Sequence, residues 1–111
     1  MRNVSIIIPV LDEEKILGSS LDSLQILRKE NCEIIVVDGG SSDRSQEIAR
    51  PRVDKFLVTR SGRAHQMNFG AQHSEGEILI FLHADSQISS RAISQMIEKT
   101  NSLNYFWGWF K

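Results

Sequence analysis

Two apolar runs that each end in acid, EIIVVDGGSSD (Glu33 to Asp43) and EILIFLHADS (Glu77 to Ser86), constrain this chain more than any other feature. Both runs are dominated by β-branched residues, Leu and Phe, without polar alternation. That is the pattern of a strand buried on both faces of a parallel sheet. Each run stops abruptly at carboxylates, glycines and hydroxyls. A parallel sheet gathers the carboxyl ends of its strands along one edge, where ligands of such folds bind. Asp38 and Asp85 are therefore expected to face one crevice, which suits a metal ion together with a ribose or phosphate group.

The rest of the chain fits the same plan. Val4 to Val10 predicts a first buried strand. A helix is expected from about Glu13 to Lys29, with Leu17, Leu21, Leu24 and Leu27 as its apolar stripe and Asn31 as its cap. The second strand is Ile34 to Val37, followed by a short helix that Pro51 ends. Val53 to Val58 reads as a third strand, whose Asp54 and Lys55 suit an edge. Gly62 to about His73 is helix-like, with Ala64, Met67 and Ala71 on one face. Ile78 to Leu82 is the fourth strand. Ser89 or Ser90 caps a helix with Ile93, Met96, Ile97 and Thr100 inward, and Asn104 to Phe110 reads as a fifth strand. Strands alternating with helices predict a Rossmann-like three-layer α/β/α domain with a mostly parallel sheet, its first four strands ordered 3-2-1-4.

At 111 residues, 41% apolar and 24% charged, a single domain spanning 1–111 is expected. A net charge of −1 with interspersed signs leaves no nucleic-acid footprint and no polybasic membrane anchor. The apolar runs are too short to cross a bilayer, so the expectation is a soluble cytoplasmic protein without a transmembrane segment. Cys32 stands alone and reads as a buried or bland thiol. Five of the eight aromatic residues lie in the last seven positions, YFWGWFK. Such a surface needs a cover, and a homodimer joined through about Leu103 to Phe110 is the simplest one.

The loops carry the chemistry. PVLDEE after the first strand lacks the glycines of a dinucleotide-binding turn, and Asp12, Glu13 and Glu14 would repel a pyrophosphate. Asp38 can accept hydrogen bonds from a base or a ribose, or it can cap the turn it opens. Asp43 is expected to serve the start of the short helix. Asp85 suits Mg2+ or Mn2+, which commonly take one or two carboxylates and leave the rest to water and substrate phosphate. Capping the next turn is its other reading. His83 can contact ribose, support a neighbouring ligand or simply fill the strand end. Arg63 can neutralise a diphosphate, meet the base or stay solvated. His65 and His73 read as solvated surface positions.

In series, SIIIPVLDEE, EIIVVDGGSSD, GRAHQMNFGA and GEILIFLHADS resemble the family 2 glycosyltransferases, which have the GT-A fold. The HADS ending and the terminal WGWF look most like the radical-SAM/selenodomain-associated transferases. The resemblance implies nucleotide contacts at Pro9, Leu11, Glu13, Asp38 and Arg63. Its D-x-D motif corresponds to His83-Ala84-Asp85, with Asp85 on the metal and His83 replacing the acid that usually contacts ribose. The implied ligand is a nucleotide-diphosphate sugar with a divalent metal. Family members continue about as far again to an acceptor site and a general base, and after Asp85 this chain has one carboxylate, Glu98. The expectation is thus a nucleotide-binding half whose acceptor half is absent. A truncated, inactive binding or interaction module is the alternative. A phosphoryl-transfer domain using Asp12 is a weaker one.

Overall fold

The computed structural model describes residues 3–85, 90–100 and 107–110. Five strands form one parallel sheet in the order β3-β2-β1-β4-β5. They are β1 (Val4–Val10), β2 (Cys32–Asp38), β3 (Lys55–Val58), β4 (Ile78–Leu82) and β5 (Trp107–Phe110). Ile6 lies opposite Ile34 on one side and Ile80 on the other, so the centre of the sheet is aliphatic throughout. This is the expected order, with β5 added beside β4.

Pro9 sits in the central strand without harm. The Val10 carbonyl accepts the Gly39 N–H, which turns Val10 toward β2 and the ring of Pro9 toward β4. Pairing with β4 ends at Ile7, so no ladder bond needs the missing N–H.

Helices cover both faces. Helix α1 (Glu14–Asp22) packs Leu17 and Leu21 with Leu24 and Leu27 onto the alternate side chains Ile6, Ile8, Ile34, Val36 and Ile80. Helix α2 (Ser45–Ala49) and helix α4 (Ser90–Thr100) add Ala49 and Ile93 to this cluster. The opposite face buries Ile7, Ile35, Val37 and Phe81 beneath helix α3 (Arg63–Gln72). The result is a three-layer α/β/α arrangement, as the resemblance implied.

Three expectations are corrected. The first helix does not run unbroken to Lys29: α1 ends at Asp22, and Gln25–Lys29 is a 3₁₀ turn. Hydroxyls of Ser19 and Ser23 fold back onto the carbonyls of Ile16 and Ser20, and such competition loosens a helix end. Strand β3 begins at Lys55, because Asp54 stands across from β2 and takes the Ile34 N–H on its carboxylate at 2.7 Å. Helix α3 packs Met67 and Ala71 of the expected face against the sheet, but Ala64 is exposed, and Gln66 and Gly70 are its fully buried residues. A Cβ at Gly70 would come within 2.6 Å of Ile7 Cγ2, so the helix lies against the sheet at glycine distance. Met96, Ile97 and Thr100 lie outside the described side chains, and Ser89 and residues 101–106 lie outside the described residues.

Candidate functional site

The loops after β1 and β2 are laced together. Asp12 adopts a left-handed backbone (φ 51°), which aims its carboxylate across the gap to the Ser42 N–H at 2.8 Å. In return, the Asp12 N–H donates to Ser41 Oγ at 2.9 Å and the Glu13 N–H to Ser45 Oγ at 2.8 Å. The Glu14 N–H donates to Asp43 at 3.1 Å, so Asp43 serves the first turn of α1 as well as Ser45 at the start of α2. Desolvation pushes the Asp43 carboxyl up. Hydrogen bonds from the hydroxyl and N–H of Ser45 and from the Glu14 N–H outweigh it and hold the group below the usual carboxylate range.

Asp38 is buried at the core of this unit. One of its oxygens accepts the Gly40 N–H, the Ser41 N–H and the Gln46 amide at 2.7 to 3.0 Å. The other accepts the Ser41 hydroxyl at 2.6 Å. The two glycines after it differ in purpose. Gly40 has φ 96° with open space where a Cβ would go, so it serves the turn. Gly39 has no such conformation, but a Cβ there would sit 2.9 Å from Gln66 Oε1 and 3.0 Å from Ser61 Cα. Its close approach is to the protein itself.

Strand β4 ends one step farther along the same edge. Ala84 is buried, and its carbonyl takes the Ser20 hydroxyl of α1 at 2.7 Å, which fixes the turn that carries His83 and Asp85. Arg63, the first residue of α3, places a guanidinium nitrogen 2.5 Å from His83 Nε2, and His83 Nδ1 lies against Asp85 Oδ1. Three residues from two separate motifs thus form one chain at the strand end. The Asp85 side chain remains 60% exposed. Among the described residues, no three His, Cys, Asp or Glu side chains form a ready cage. A single open carboxylate beside an imidazole nevertheless fits a hard cation that takes its remaining oxygens from water and phosphate.

The sequence-derived site residues therefore fall into two groups. Arg63, His83 and Asp85 come together. Glu13 and Asp38 belong to the laced loops, with Pro9 half-buried at the end of β1 and Leu11 exposed beside it. His65 is half-buried, not solvated, because its Nε2 meets Thr59 Oγ1 at 2.8 Å. His73 is exposed and bonds the Phe69 carbonyl through Nδ1. Sequence reasoning missed Gln66, which is 4% exposed and bonds Val10, Val37 and Gly62. Its Val10 and Val37 partners lie far away in the chain, so no local signal in the sequence marks it.

Known proteins share this fold. The family described as glycosyl transferase family 2 matches residues 5–110. A glycosyltransferase of Haemophilus influenzae is 31% identical over 104 residues, which cover 87% of this chain and 42% of that protein. Glucosyl-3-phosphoglycerate synthase from Mycobacterium tuberculosis, solved with Mn2+, UDP and glucosyl-3-phosphoglycerate, aligns at TM-score 0.66 and 26% identity over 77% of this chain and 34% of that one. A mannosyltransferase from Pyrobaculum calidifontis, solved with GDP-Man and Mn2+, has the same fold at TM-score 0.76, with 23% identity over 90% of this chain and 33% of that one. The chain spans less than half the length of each. With nearly all of its length matched, this chain belongs to glycosyltransferase family 2.

Proposed function

We propose that this chain binds a nucleotide-diphosphate sugar at the carboxyl edge of its sheet and serves glycosyl transfer to an acceptor hydroxyl. The observation that carries the reading is the Arg63–His83–Asp85 chain beside the laced loops, where a cation, an imidazole and an open carboxylate converge at the end of β4. Arg63 offers charge-assisted hydrogen bonds to a diphosphate. Asp85 would hold Mg2+ or Mn2+, which when bound stabilises the negative charge of a departing diphosphate. His83 stands between them and orients both. The loops after β1 and β2 supply the nucleotide surface, with Pro9, Leu11 and Glu13 lining it. The buried carboxylate of Asp38 shapes that surface through its own loop.

On this reading residues 1–111 are the nucleotide-binding half, and the acceptor site and general base belong to further chain. The radical-SAM/selenodomain-associated subgroup, a cytoplasmic location and self-association through the aromatic segment up to Phe110 are finer parts of the same proposal. A binding module without turnover, which holds the nucleotide at the same edge, is the second reading. Calorimetric titration with UDP and GDP, with and without Mn2+, tests the shared step; no heat from either nucleotide at millimolar concentration rejects both readings. Release of diphosphate nucleotide from the sugar donor by the 111-residue chain would exclude the second.

A further inference from the structure

Gln66 is a polar side chain buried in an apolar place, between Gly39 and the sheet. Its Nε2 donates to the Val10 carbonyl at 3.0 Å and to the Val37 carbonyl at 2.8 Å, and its Oε1 accepts the Gly62 N–H at 3.0 Å. Each of these three residues immediately precedes a segment of the site. Val10 leads to Leu11 and the β1 loop, Val37 leads to Asp38 and the β2 loop, and Gly62 leads to Arg63. A carboxamide is the side-chain group that offers two N–H donors and an acceptor in one plane. The Val10 carbonyl already accepts the Gly39 N–H at 2.9 Å, so satisfying a stranded acceptor does not by itself explain the bond from Gln66.

We infer that Gln66 is the positioning residue of this site, holding the two nucleotide loops and the Arg63 end of α3 as one unit. It touches no ligand and acts through the segments it ties. The inference deepens the proposed nucleotide binding and rests on that reading for its effect on affinity. Its mechanical half stands on the bonds alone. The glycine at 39 belongs to the same device, since any side chain there would displace the carboxamide.

The test pairs amide hydrogen exchange on the ligand-free 111-residue chain with UDP–Mn2+ titration, using Gln66→Met and Gln66→Glu. Gln66→Met keeps the volume and removes all three bonds. Exchange should accelerate at least tenfold at Gly62, Gly39 and Ser41, while the strand-centre amides of Ile6 and Ile34 keep their protection. UDP affinity should fall at least tenfold at a temperature where the variant is fully folded. Parent-like exchange at those three amides overturns the inference. So does faster exchange with unchanged affinity, which would make Gln66 merely structural. If the parent binds neither UDP nor GDP, the nucleotide reading fails separately, and the exchange result still decides whether the three segments are tied. If Gln66→Met does not fold, Gln66→Glu decides: it keeps an acceptor for Gly62 but loses both donors, so Gly39 should exchange faster while Gly62 stays protected. Equal protection of both would reject the unit.

Discussion

The two edges of this sheet handle acid in opposite ways. At the amino edge, Glu33 is 1% exposed and its carboxylate meets a cation: Lys55 Nζ lies 3.3 Å away, the Ser5 hydroxyl donates at 2.5 Å, and the Glu75 N–H at 2.6 Å. Lys55 also reaches Glu75 at 3.1 Å, and Ser5 Oγ accepts the Gly76 N–H. At the carboxyl edge, Asp12, Asp38 and Asp43 are held by backbone amides, hydroxyls and the Gln46 amide. Those partners fix an acid without cancelling its charge. At one edge the buried acid is paired with a cation and closed off; at the other the acids are held by neutral partners and keep their negative charge in place, which is what a cation-dependent ligand needs.

The largest expected effect comes from breaking the closed edge. Removing one partner of a buried charge pair typically costs 3–5 kcal/mol. Lys55 is 28% exposed and recovers some hydration, so Glu33→Ala should cost about 3 kcal/mol, at the low end of that range. Urea unfolding measures it, and nucleotide affinity of the folded protein should not change. A loss under about 1 kcal/mol would mean that the edge is not locked by charge.

Asp38→Ala strikes the open edge at a buried acid. The Gly40 and Ser41 amides lose their acceptor, which points to about 2 kcal/mol. Nucleotide affinity should fall with it, because the loop loses its shape. Weakened affinity with unchanged melting would show instead that the carboxylate meets the nucleotide directly.

The pH response separates the edges next. Burial pushes the Glu33 carboxyl up, but the Glu75 N–H, the Ser5 hydroxyl and Lys55 outweigh it and leave it below its ordinary 4.5. A carboxyl lowered on folding contributes stability that is fully present above its unfolded value and is lost as pH falls through its folded one. Burial likewise opposes the charge of Lys55, yet Glu75 and Glu33 raise it above 10.5, so its contribution is present below that value and fades in stronger alkali. Stability should therefore decline below about pH 4.5, and Glu33→Gln should flatten part of that decline. An unaltered acid limb in Glu33→Gln would place the sensitivity among the loop acids.

Strand order and core were legible because fully buried strands write unbroken aliphatic runs, and four leucines at helical spacing mark the layer above them. The candidate site was legible where motif residues sit at element ends, as with His83 and Asp85 after β4 and Arg63 at the start of α3. What escaped the sequence was the set of polar partners. Nothing local distinguishes Gln66 from a surface glutamine, or shows that Gly39 makes room for it and not for a ligand. The 3₁₀ break after Asp22 escaped for a related reason: the leucine stripe continues across it, and only the serine hydroxyls reveal the change. Pattern reports which faces are apolar, whereas hydrogen bonds between distant segments have no period.

The smallest expected change in stability is the most telling about the open edge. Asp85 is 60% exposed at the end of β4, and its described partner is the neighbouring His83. Ala84, between them, keeps the turn in place through its bond to Ser20, which does not depend on the Asp85 carboxylate. Asp85→Ala should therefore move stability by no more than about 0.5 kcal/mol, as exposed surface substitutions do. If the edge retains charge for a cation, the same change should remove the Mn2+-dependent part of UDP affinity and leave the metal-independent part supplied by Arg63 and the loops. Titrations of parent and variant with and without Mn2+ read this directly. Intact metal dependence together with a drop in melting temperature would make Asp85 a structural cap and would move the cation to the acids of the laced loops.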